Sequence, residues 1–236
     1  MQTSFAQPQL TYYTENYPPS NYLENGKLTG VSVETLKAIW QQLNIPAQPI
    51  HLVPWARGYK IVENTPNTVL FTMAKTKART PHFKWVGPLY IAEHLLISGK
   101  QFKAKINSMS DVYSYSIAAI KSDISEITLI KKGVPNEKIV RISQLRQGIL
   151  MLTNDRIDLM IISRSALGNL LKNHQIKESD IQIVYSVNRL GNYFAFHKDT
   201  PNNLIDQFQS TFDQIYPIRK KINKKYKLLT PELGIQ

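Results

Sequence analysis

One arginine stands where a strand-like run gives way to a cationic and aromatic stretch. Arg79 follows the apolar, β-type residues 68–73 and precedes Trp85. A guanidinium at the mouth of a strand can hold a carboxylate through two parallel hydrogen bonds. We predict that Arg79 binds a ligand carboxylate. The alternative is a solvated arginine in a loop with other basic residues, namely Lys75, Lys77 and Lys84.

Other kinds of chemistry find little support in the residue pattern. The five histidines do not pair at metal-ligand spacing, and cysteine is absent. The chain has no Gly-x-Ser-x-Gly elbow, no Ser-x-x-Lys and no glycine-rich phosphate loop. Asp155 and Asp158 are close in sequence, but one is predicted in a loop and the other in a strand. We therefore predict a protein that is not an enzyme, with no metal and no cofactor.

The composition predicts a globular protein with a basic surface. Of the 236 residues, 42% are hydrophobic and 19% are charged, and the net charge is +12. Such a charge raises the alternative of nucleic-acid binding. However, the basic residues are scattered and are not interleaved with the aromatic residues that stacking on bases needs. We predict no nucleic-acid partner.

The N-terminal residues contain a candidate processing site. No apolar run reaches the ~20 residues of a membrane span, and no hydrophobic signal core is present. Ser4-Phe5-Ala6 does place small residues where a signal peptidase reads them. If Met1 is not native, residues 2–6 are the remnant of a removed export signal, which predicts a periplasmic protein.

Apolar periodicity divides the first 90 residues into alternating strands and helices. Residues 10–13, 49–53 and 68–73 have the character of strands. Between them lie two helical patterns, one with Ser32 as N-cap and one that begins at Trp55. The predicted order is β-α-β-α-β, with polar loops at the strand ends.

A second α/β unit is predicted between residues 115 and 187. Strand patterns alternate with helical patterns there, and Ser143 and Ser163 stand at N-cap positions. This alternation predicts a mostly parallel sheet with helices on both faces. A further strand at 191–197 precedes a helix that opens at Pro201 and a basic tail helix.

Several segments together resemble the family 3 bacterial solute-binding proteins, the amino-acid-type receptors of ABC transporters. The clearest is Thr76-x-x-Arg79-x-x-x-Phe83-x-Trp85-Val-Gly-Pro. The chain opens on Tyr17-Pro-Pro and Asn25-Gly-x-x-x-Gly, as the family does. Pro54-Trp-x-Arg57 is similar to one subgroup, and the resemblance covers most of residues 10–90. It implies that Arg79 holds the ligand's carboxylate and that Thr72 presents a hydroxyl to it.

The resemblance also implies the fold class: α/β, the two-lobed type II periplasmic-binding-protein fold. Tyr193-Phe-Ala-Phe-x-Lys198 is similar to the family segment where the chain has returned to the first lobe. We therefore predict a discontinuous lobe 1 of residues 7–93 and 190–236, and a lobe 2 of residues 94–189. Two crossovers, near 92–98 and 186–191, form the hinge strands.

The predicted binding site lies at the carboxyl ends of the strands, between the lobes. Trp55 is either a wall that stacks on the ligand or a core residue, and Thr72 is either a ligand contact or an ordinary strand threonine. A helix N-terminus at Ser122–Ile124 offers free N–H groups to an anion. The candidate ligand-binding residues are Tyr13, Tyr17, Tyr22, Trp55, Thr72, Ala74, Arg79, Lys121, Ser122, Asp123 and Ser163.

The chain departs from the family pattern at two places. Amino-acid receptors of the family usually carry an acidic residue five positions after an aspartate that Asp158 represents here, and that position is Ser163. Asp123 or Glu15 is a candidate substitute for pairing with an α-ammonium group. Lys75-Thr76 also replaces the more common Arg-Thr. A carboxylate-bearing ligand is therefore better supported than a standard L-amino acid.

Together these observations predict a monomeric solute-binding receptor. It captures a small polar solute, an amino acid or a related carboxylate, by hinge bending, and delivers it to the permease of an ABC transporter. One alternative is a dehydratase-like enzyme in the same cleft, with Glu15, Asp123 or His82 as acid or base. The other is a ligand-sensing module whose closure signals to a partner protein.

Overall fold

A computed structural model describes residues 9–173, 176–228 and 230–231. The candidate processing site at Ser4-Phe5-Ala6 and one of the five histidines, His174, lie outside the described residues. The ten strands are β1 Thr11–Thr14, β2 Tyr22–Glu24, β3 Lys27–Thr29, β4 Ile50–Leu52, β5 Thr68–Ala74, β6 Phe83–Gly99, β7 Ile117–Ile120, β8 Ile139–Ile142, β9 Leu159–Ser163 and β10 Ile181–His197. The seven α-helices are α1 Val31–Gln42, α2 Trp55–Asn64, α3 Ile124–Lys131, α4 Leu145–Thr153, α5 Arg164–Asn173, α6 Asn202–Gln214 and α7 Tyr216–Lys225. Both counts refer to the described part of the chain.

Eight of the strands form one continuous sheet in the order β4-β1-β5-β10-β6-β9-β7-β8. At one end β4, β1 and β5 pair in parallel, and at the other end β7 pairs in parallel with β8 and with β9. β6 and β10, of 17 residues each, run antiparallel to each other through the middle and join the two ends. The predicted α/β fold with two mostly parallel units and two connecting strands is confirmed. The exact lobe boundaries stay a prediction.

The two connecting strands are longer than the sequence indicates. The pattern predicts separate strands at 181–187 and 191–197, whereas β10 is continuous from Ile181 to His197. Its pairing with β6 shifts register three times, between Ile183 and Tyr185, between Ser186 and Asn188, and between Asn192 and Phe194. Such bulges let a strand bend and twist without ending. The continuous strand β10 therefore contributes to both halves of the molecule.

Three clusters of buried side chains hold the layers together. One lies where α1 and α6 cover the first half of the sheet, and it includes Leu36, Phe196 and Phe208. A second covers one face of the other half. The third crosses between the halves, so that Leu70 belongs to the same cluster as Ile162. Each fully buried side chain of this size contributes roughly 1.5–3 kcal/mol to stability.

Two predicted helix caps are wrong and one is confirmed. α1 begins at Val31 with Gly30 at the cap position, which leaves Ser32 buried in the first turn. Gly30 has φ +117°, and a Cβ there would lie 2.3 Å from the Ser20 carbonyl oxygen, so only glycine fits. Gln144, rather than Ser143, caps α4. Ser163 caps α5 as predicted, because its Oγ accepts from the Ala166 N–H at 3.3 Å.

Candidate functional site

A pocket that is partly open to solvent lies where the two halves of the sheet face each other. Its walls come from the loop after β1, the end of β5, the middle of β6 and β10, the end of β9 and the start of α3. These are mostly carboxyl ends of strands, where ligands bind in open α/β sheets. The predicted site residues that line it are Tyr17, Thr72, Ala74, Asp123 and Ser163.

Six further residues line the pocket that were not in the predicted set: Glu15, Tyr90, Ala92, His94, Ile124 and Asn192. From the sequence, Glu15 is a candidate partner for an ammonium group and a candidate acid or base in the enzyme alternative, but it is not among the predicted ligand contacts. Tyr90, Ala92 and His94 alternate along β6 and so share one face. The signal that could have revealed them is a histidine within an apolar strand, since a polar group in such a run needs a reason to be there.

Two hydrogen bonds join the halves across the pocket. The Tyr17 hydroxyl donates to Ser163 Oγ at 3.0 Å, and Trp55 Nε1 donates to the Ser122 carbonyl oxygen at 2.9 Å. Each bond connects the first half of the sheet with the second. The two halves of the molecule are therefore in direct contact in this structure.

Thr72 adopts an unusual backbone conformation at the pocket. Its φ is +68°, which is rare for a β-branched residue. In the pairing with β10, Met73 faces Tyr193 and Phe71 faces Phe194, so Thr72 is the extra residue of a β-bulge. The hydroxyl donates to Asn21 Oδ1 and lies 2.8 Å from Ser32 Oγ. Strained backbone of this kind clusters at functional sites.

A buried polar network holds the loop after β1 in place. Asn21 Nδ2 donates to the Glu15 carbonyl oxygen at 2.5 Å, while its Oδ1 accepts from Thr72. The hydroxyls of Ser20 and Tyr90 share a short hydrogen bond beneath the same loop. Satisfied networks of this kind rigidify a core. The positions of Glu15 and Tyr17 are therefore fixed by residues outside the predicted site.

Arg79 is buried beside the pocket and is not fully satisfied there. Its side chain is only 3% exposed, and Nη1 donates to the Ala74 carbonyl oxygen at 3.3 Å. The guanidinium carbon lies 5.3 Å from the ring centre of Trp55 and 5.4 Å from that of Tyr59. Nη2 has no hydrogen-bond partner among the described residues. Ala74 lines the pocket, so the Arg79 guanidinium is hydrogen-bonded to a residue of the pocket wall.

Burial and nearby charges set the pKa of this arginine. Burial lowers the pKa of Arg79, while the charge of Asp123 and the Tyr59 hydroxyl raise it. Asp123 is thus close enough to act on the guanidinium, yet the described residues show no ion pair between them. An unpaired buried donor has a free-energy cost that a bound acceptor would remove.

Two carboxylates face the same pocket. Burial, and then the charge of Asp123, raise the pKa of Glu15 well above its ordinary value. Burial also raises the pKa of Tyr17 and lowers that of His94, whose Nδ1 lies 2.9 Å from Asn188 Oδ1. Each shift reflects a low-dielectric surrounding that penalises the charged form. The neutral forms of Glu15, Tyr17 and His94 are therefore favoured in the empty pocket.

The remaining predicted residues lie outside the pocket walls. Tyr13 is half-buried with its ring 5.3 Å from that of His51, and Tyr22 lies on β2 near Tyr226. Lys121 is exposed. As ligand contacts, these residues stay predictions.

The predicted anion site at the start of α3 has two of its backbone donors occupied by side chains. The Ser122 N–H donates to the Glu126 carboxylate, and the Asp123 carboxylate is the N-cap, accepting from Ser125 Oγ at 3.1 Å. The N–H groups of Ser122 and Ser125 are thus occupied by carboxylates of the protein itself, and the anion site stays a prediction. A negative charge at this terminus favours a cation beside it and opposes an anion.

Neither a clustered metal site nor a transmembrane helix is found. Within the described ranges, no three His, Asp or Glu side chains come together as metal ligands would. Among the same residues no helix is long and apolar enough to cross a bilayer.

The sequence matches a family model over nearly its whole length. Residues 10–228 match the model described as bacterial extracellular solute-binding proteins, family 3. The chain belongs to this family. A probable histidine-binding protein of Campylobacter jejuni subsp. jejuni is 22% identical over 213 residues, which cover 84% of this chain and 76% of the relative.

Solved structures confirm the periplasmic-binding-protein fold. A histidine kinase sensor domain with similarity to periplasmic binding proteins superposes with a TM-score of 0.86 at 15% identity, covering 95% of this chain and 99% of that one. The arginine-, lysine-, histidine-binding protein ArtJ from Geobacillus stearothermophilus gives a TM-score of 0.82 at 14% identity, covering 95% and 98%. At such identities the likeness concerns the fold.

Proposed function

We propose that this family member is a receptor for an amino acid or a closely related solute that carries a carboxylate. The observation that carries the proposal is Arg79, a buried guanidinium with an unpartnered Nη2 at the edge of the pocket. A carboxylate is the acceptor that best fits the two parallel N–H groups of a guanidinium. Its aromatic neighbours Trp55 and Tyr59 keep the group in place.

Asp123 supports a ligand that also has a positive group. It lines the pocket and acts electrostatically on Arg79 without an ion pair to it among the described residues. A zwitterion between the two side chains would place its carboxylate at Arg79 and its ammonium at Asp123. Asp123 would thereby take the part of the acidic residue that Ser163 replaces.

The receptor is proposed to act outside the cytoplasm and to deliver its ligand to an ABC transporter permease. Its family is extracellular by description, and the curated relative is named as a histidine-binding protein. We propose that it acts as a monomer, without nucleic acid and without catalytic turnover.

A sensory role is the second candidate. It is favoured by the likeness to a histidine kinase sensor domain, which extends over 99% of that domain. A permease gene beside the gene for this protein would favour transport, and a fused or adjacent kinase would favour sensing.

A thermal-shift screen over amino acids and small organic acids tests the binding proposal. A ligand raises the melting temperature by mass action, and the shift should vanish in Arg79→Ala but persist in Arg146→Ala, which removes an exposed arginine of α4. An equal shift in wild type and Arg79→Ala would overturn the role of Arg79. Conversion of a hit into product would favour the enzyme alternative.

A further inference from the structure

The basic tail helix that the sequence predicts is α7, and one side of it is fixed against the sheet. Arg219 and Asn223, four residues apart, are both buried and share one side of the helix. Arg219 Nη2 donates to the Pro88 carbonyl oxygen at 3.1 Å, and Asn223 Nδ2 donates to the Leu89 carbonyl oxygen at 3.1 Å. Because these bonds set the rotation of α7 about its axis, the opposite side of the helix faces outward in a fixed orientation.

The outward side of α7 carries only positive charge. Neither α7 nor the two residues after it include Asp or Glu. Of the exposed lysines here, only Lys225 forms an ion pair among the described residues, with Glu34 of α1 at 2.6 Å. In the same described part of the chain, Asp206 and Asp213 of the neighbouring α6 form no ion pair with α7. The exposed lysines, spaced mostly three and four apart, are Lys220, Lys221, Lys224, Lys225 and Lys227.

Exposed apolar side chains lie at the border of these lysines. Ile218 is 46% exposed, and it stands three residues before Lys221 and seven before Lys225, so it lies on their side of the helix. Leu23 is 53% exposed on β2, next to Tyr22, which is close enough to Lys225 for the lysine charge to act on it. Apolar side chains beside lysines are typical of protein surfaces that lie at the boundary of a bilayer.

We propose that the outward side of α7 binds the anionic surface of a phospholipid bilayer. A lysine is a compact charge on a flexible stem, which suits a plane of phosphate groups without a fixed geometry. Each lysine near such a surface strengthens binding by about fivefold. Ile218 and Leu23 enter the layer of headgroups. The inference goes beyond the proposed receptor function and does not depend on the ligand: it keeps an extracellular binding protein close to the membrane.

Other anionic partners fit this side of α7 less well. Nucleic acids are bound by arginine contacts to bases and by stacking on aromatic rings. Here Arg219 points into the protein, and the Tyr226 hydroxyl is bonded to Glu34. Protein interfaces are also enriched in arginine and aromatic residues and depleted in lysine. A surface of lysines with two exposed apolar side chains therefore favours a bilayer.

Sedimentation of the protein with lipid vesicles tests the proposal. Wild type should bind vesicles of phosphatidylcholine mixed with phosphatidylglycerol, and it should not bind vesicles of phosphatidylcholine alone. Raising the salt from about 0.05 M to about 0.5 M should remove most of the binding, because the Debye length falls. The combined change Lys220→Gln, Lys221→Gln and Lys224→Gln should weaken binding about a hundredfold. Ile218→Gln should weaken it about threefold.

The matched control is Lys103→Gln, Lys105→Gln and Lys131→Gln, which removes the same charge from exposed lysines elsewhere. It should keep vesicle binding close to that of wild type, and both triple variants should unfold at the temperature of wild type. An equal loss of binding in the two triple variants would show that net charge alone acts, and would overturn the assignment to α7. Absence of vesicle binding at low salt would overturn the proposal, as would binding of duplex DNA or an acidic protein instead.

Discussion

Two buried arginines of this protein occupy similar surroundings for different reasons. Arg79 lies beside the pocket and Arg219 lies on α7, with exposed fractions of 3% and 2%. Each guanidinium lies against an aromatic ring, at 5.3 Å from Trp55 and at 3.4 Å from Phe212. Burial lowers the pKa of both, that of Arg219 to about 10. By residue type and burial alone they could not be told apart.

Their hydrogen bonds distinguish them. Both terminal nitrogens of Arg219 donate to carbonyl oxygens, Nη1 to Phe212 at 3.2 Å and Nη2 to Pro88 at 3.1 Å. These bonds tie α6 and α7 to β6. Arg79 makes one bond of 3.3 Å, and its Nη2 has no partner in the described part of the chain. Among the described residues the Nε of Arg219 also lacks a partner, but both of its terminal nitrogens are bonded, whereas Arg79 leaves a terminal nitrogen free beside the pocket.

The largest effect that separates the two is expected at Arg219. Arg219→Met removes two hydrogen bonds to buried carbonyl groups and leaves those acceptors unsatisfied, which should lower the free energy of unfolding by about 2–4 kcal/mol. Denaturant unfolding measures this loss, and ligand affinity should be unchanged in the protein that remains folded. A variant with unchanged stability and weakened ligand binding would show that Arg219 acts in binding and not in the fold.

In the absence of ligand, substitution of Arg79 is expected to change the free energy of unfolding in the opposite direction. Arg79→Met replaces a poorly satisfied buried cation with an apolar side chain of similar length, which is often neutral or stabilising by about 1 kcal/mol or more. The melting temperature of the empty protein should therefore stay the same or rise. A clear fall would show that Arg79 contributes to the fold as Arg219 does.

The smallest changes in stability are expected at two carboxylates, Glu34 near α7 and Glu15 at the pocket. Near α7, burial alone would raise the pKa of Glu34, but hydrogen bonds from Lys225 and Tyr226 lower it. Glu34 therefore stabilises the fold above the ordinary glutamate pKa, and that contribution is lost as the pH falls through its lowered pKa. Because Glu34 is partly exposed, Glu34→Gln should cost about 0.5–1 kcal/mol at neutral pH.

Glu15 should behave in the reverse way, because its pKa is raised in the folded protein. It destabilises the empty protein at neutral pH, and the penalty disappears as the pH falls below the ordinary glutamate value. Glu15→Gln should therefore raise the melting temperature at neutral pH and have no effect near pH ~4. Thermal unfolding of Glu34→Gln and Glu15→Gln between neutral pH and pH ~4 measures how the effect of each substitution on the melting temperature changes with pH. The same pH dependence for both variants would contradict the comparison.

The sequence predicted the parts of this molecule that depend on short-range pattern. Apolar periodicity located most strands and helices, and a Ser163 cap followed from residue type and position. Arg79 was found because its surrounding segment is distinctive. The Ser32 cap failed because the conformation at Gly30 depends on a close approach to Ser20, which is remote in sequence.

The acidic character of the pocket could not be read in the same way. Glu15 and Asp123 belong to loops after β1 and β7, at opposite ends of the sheet order, and only the fold places them together. Periodicity also gave no indication that Thr72 is a bulge residue, because the bulge is defined by the pairing with β10. Long-range contacts of this kind decide what the pocket can recognise.

The bond between Trp55 and Ser122 gives the molecule a built-in optical reporter. Trp55 is 3% exposed, touches Arg79 on one side, and donates its indole N–H across the gap to a carbonyl group on the other. Separation of the halves would expose that indole to water and change its emission. Trp40 is buried against Tyr12 in the core beneath α1, so its emission should be a constant background. The opening and closing predicted from the sequence should thus be visible in the intrinsic fluorescence, without any added dye.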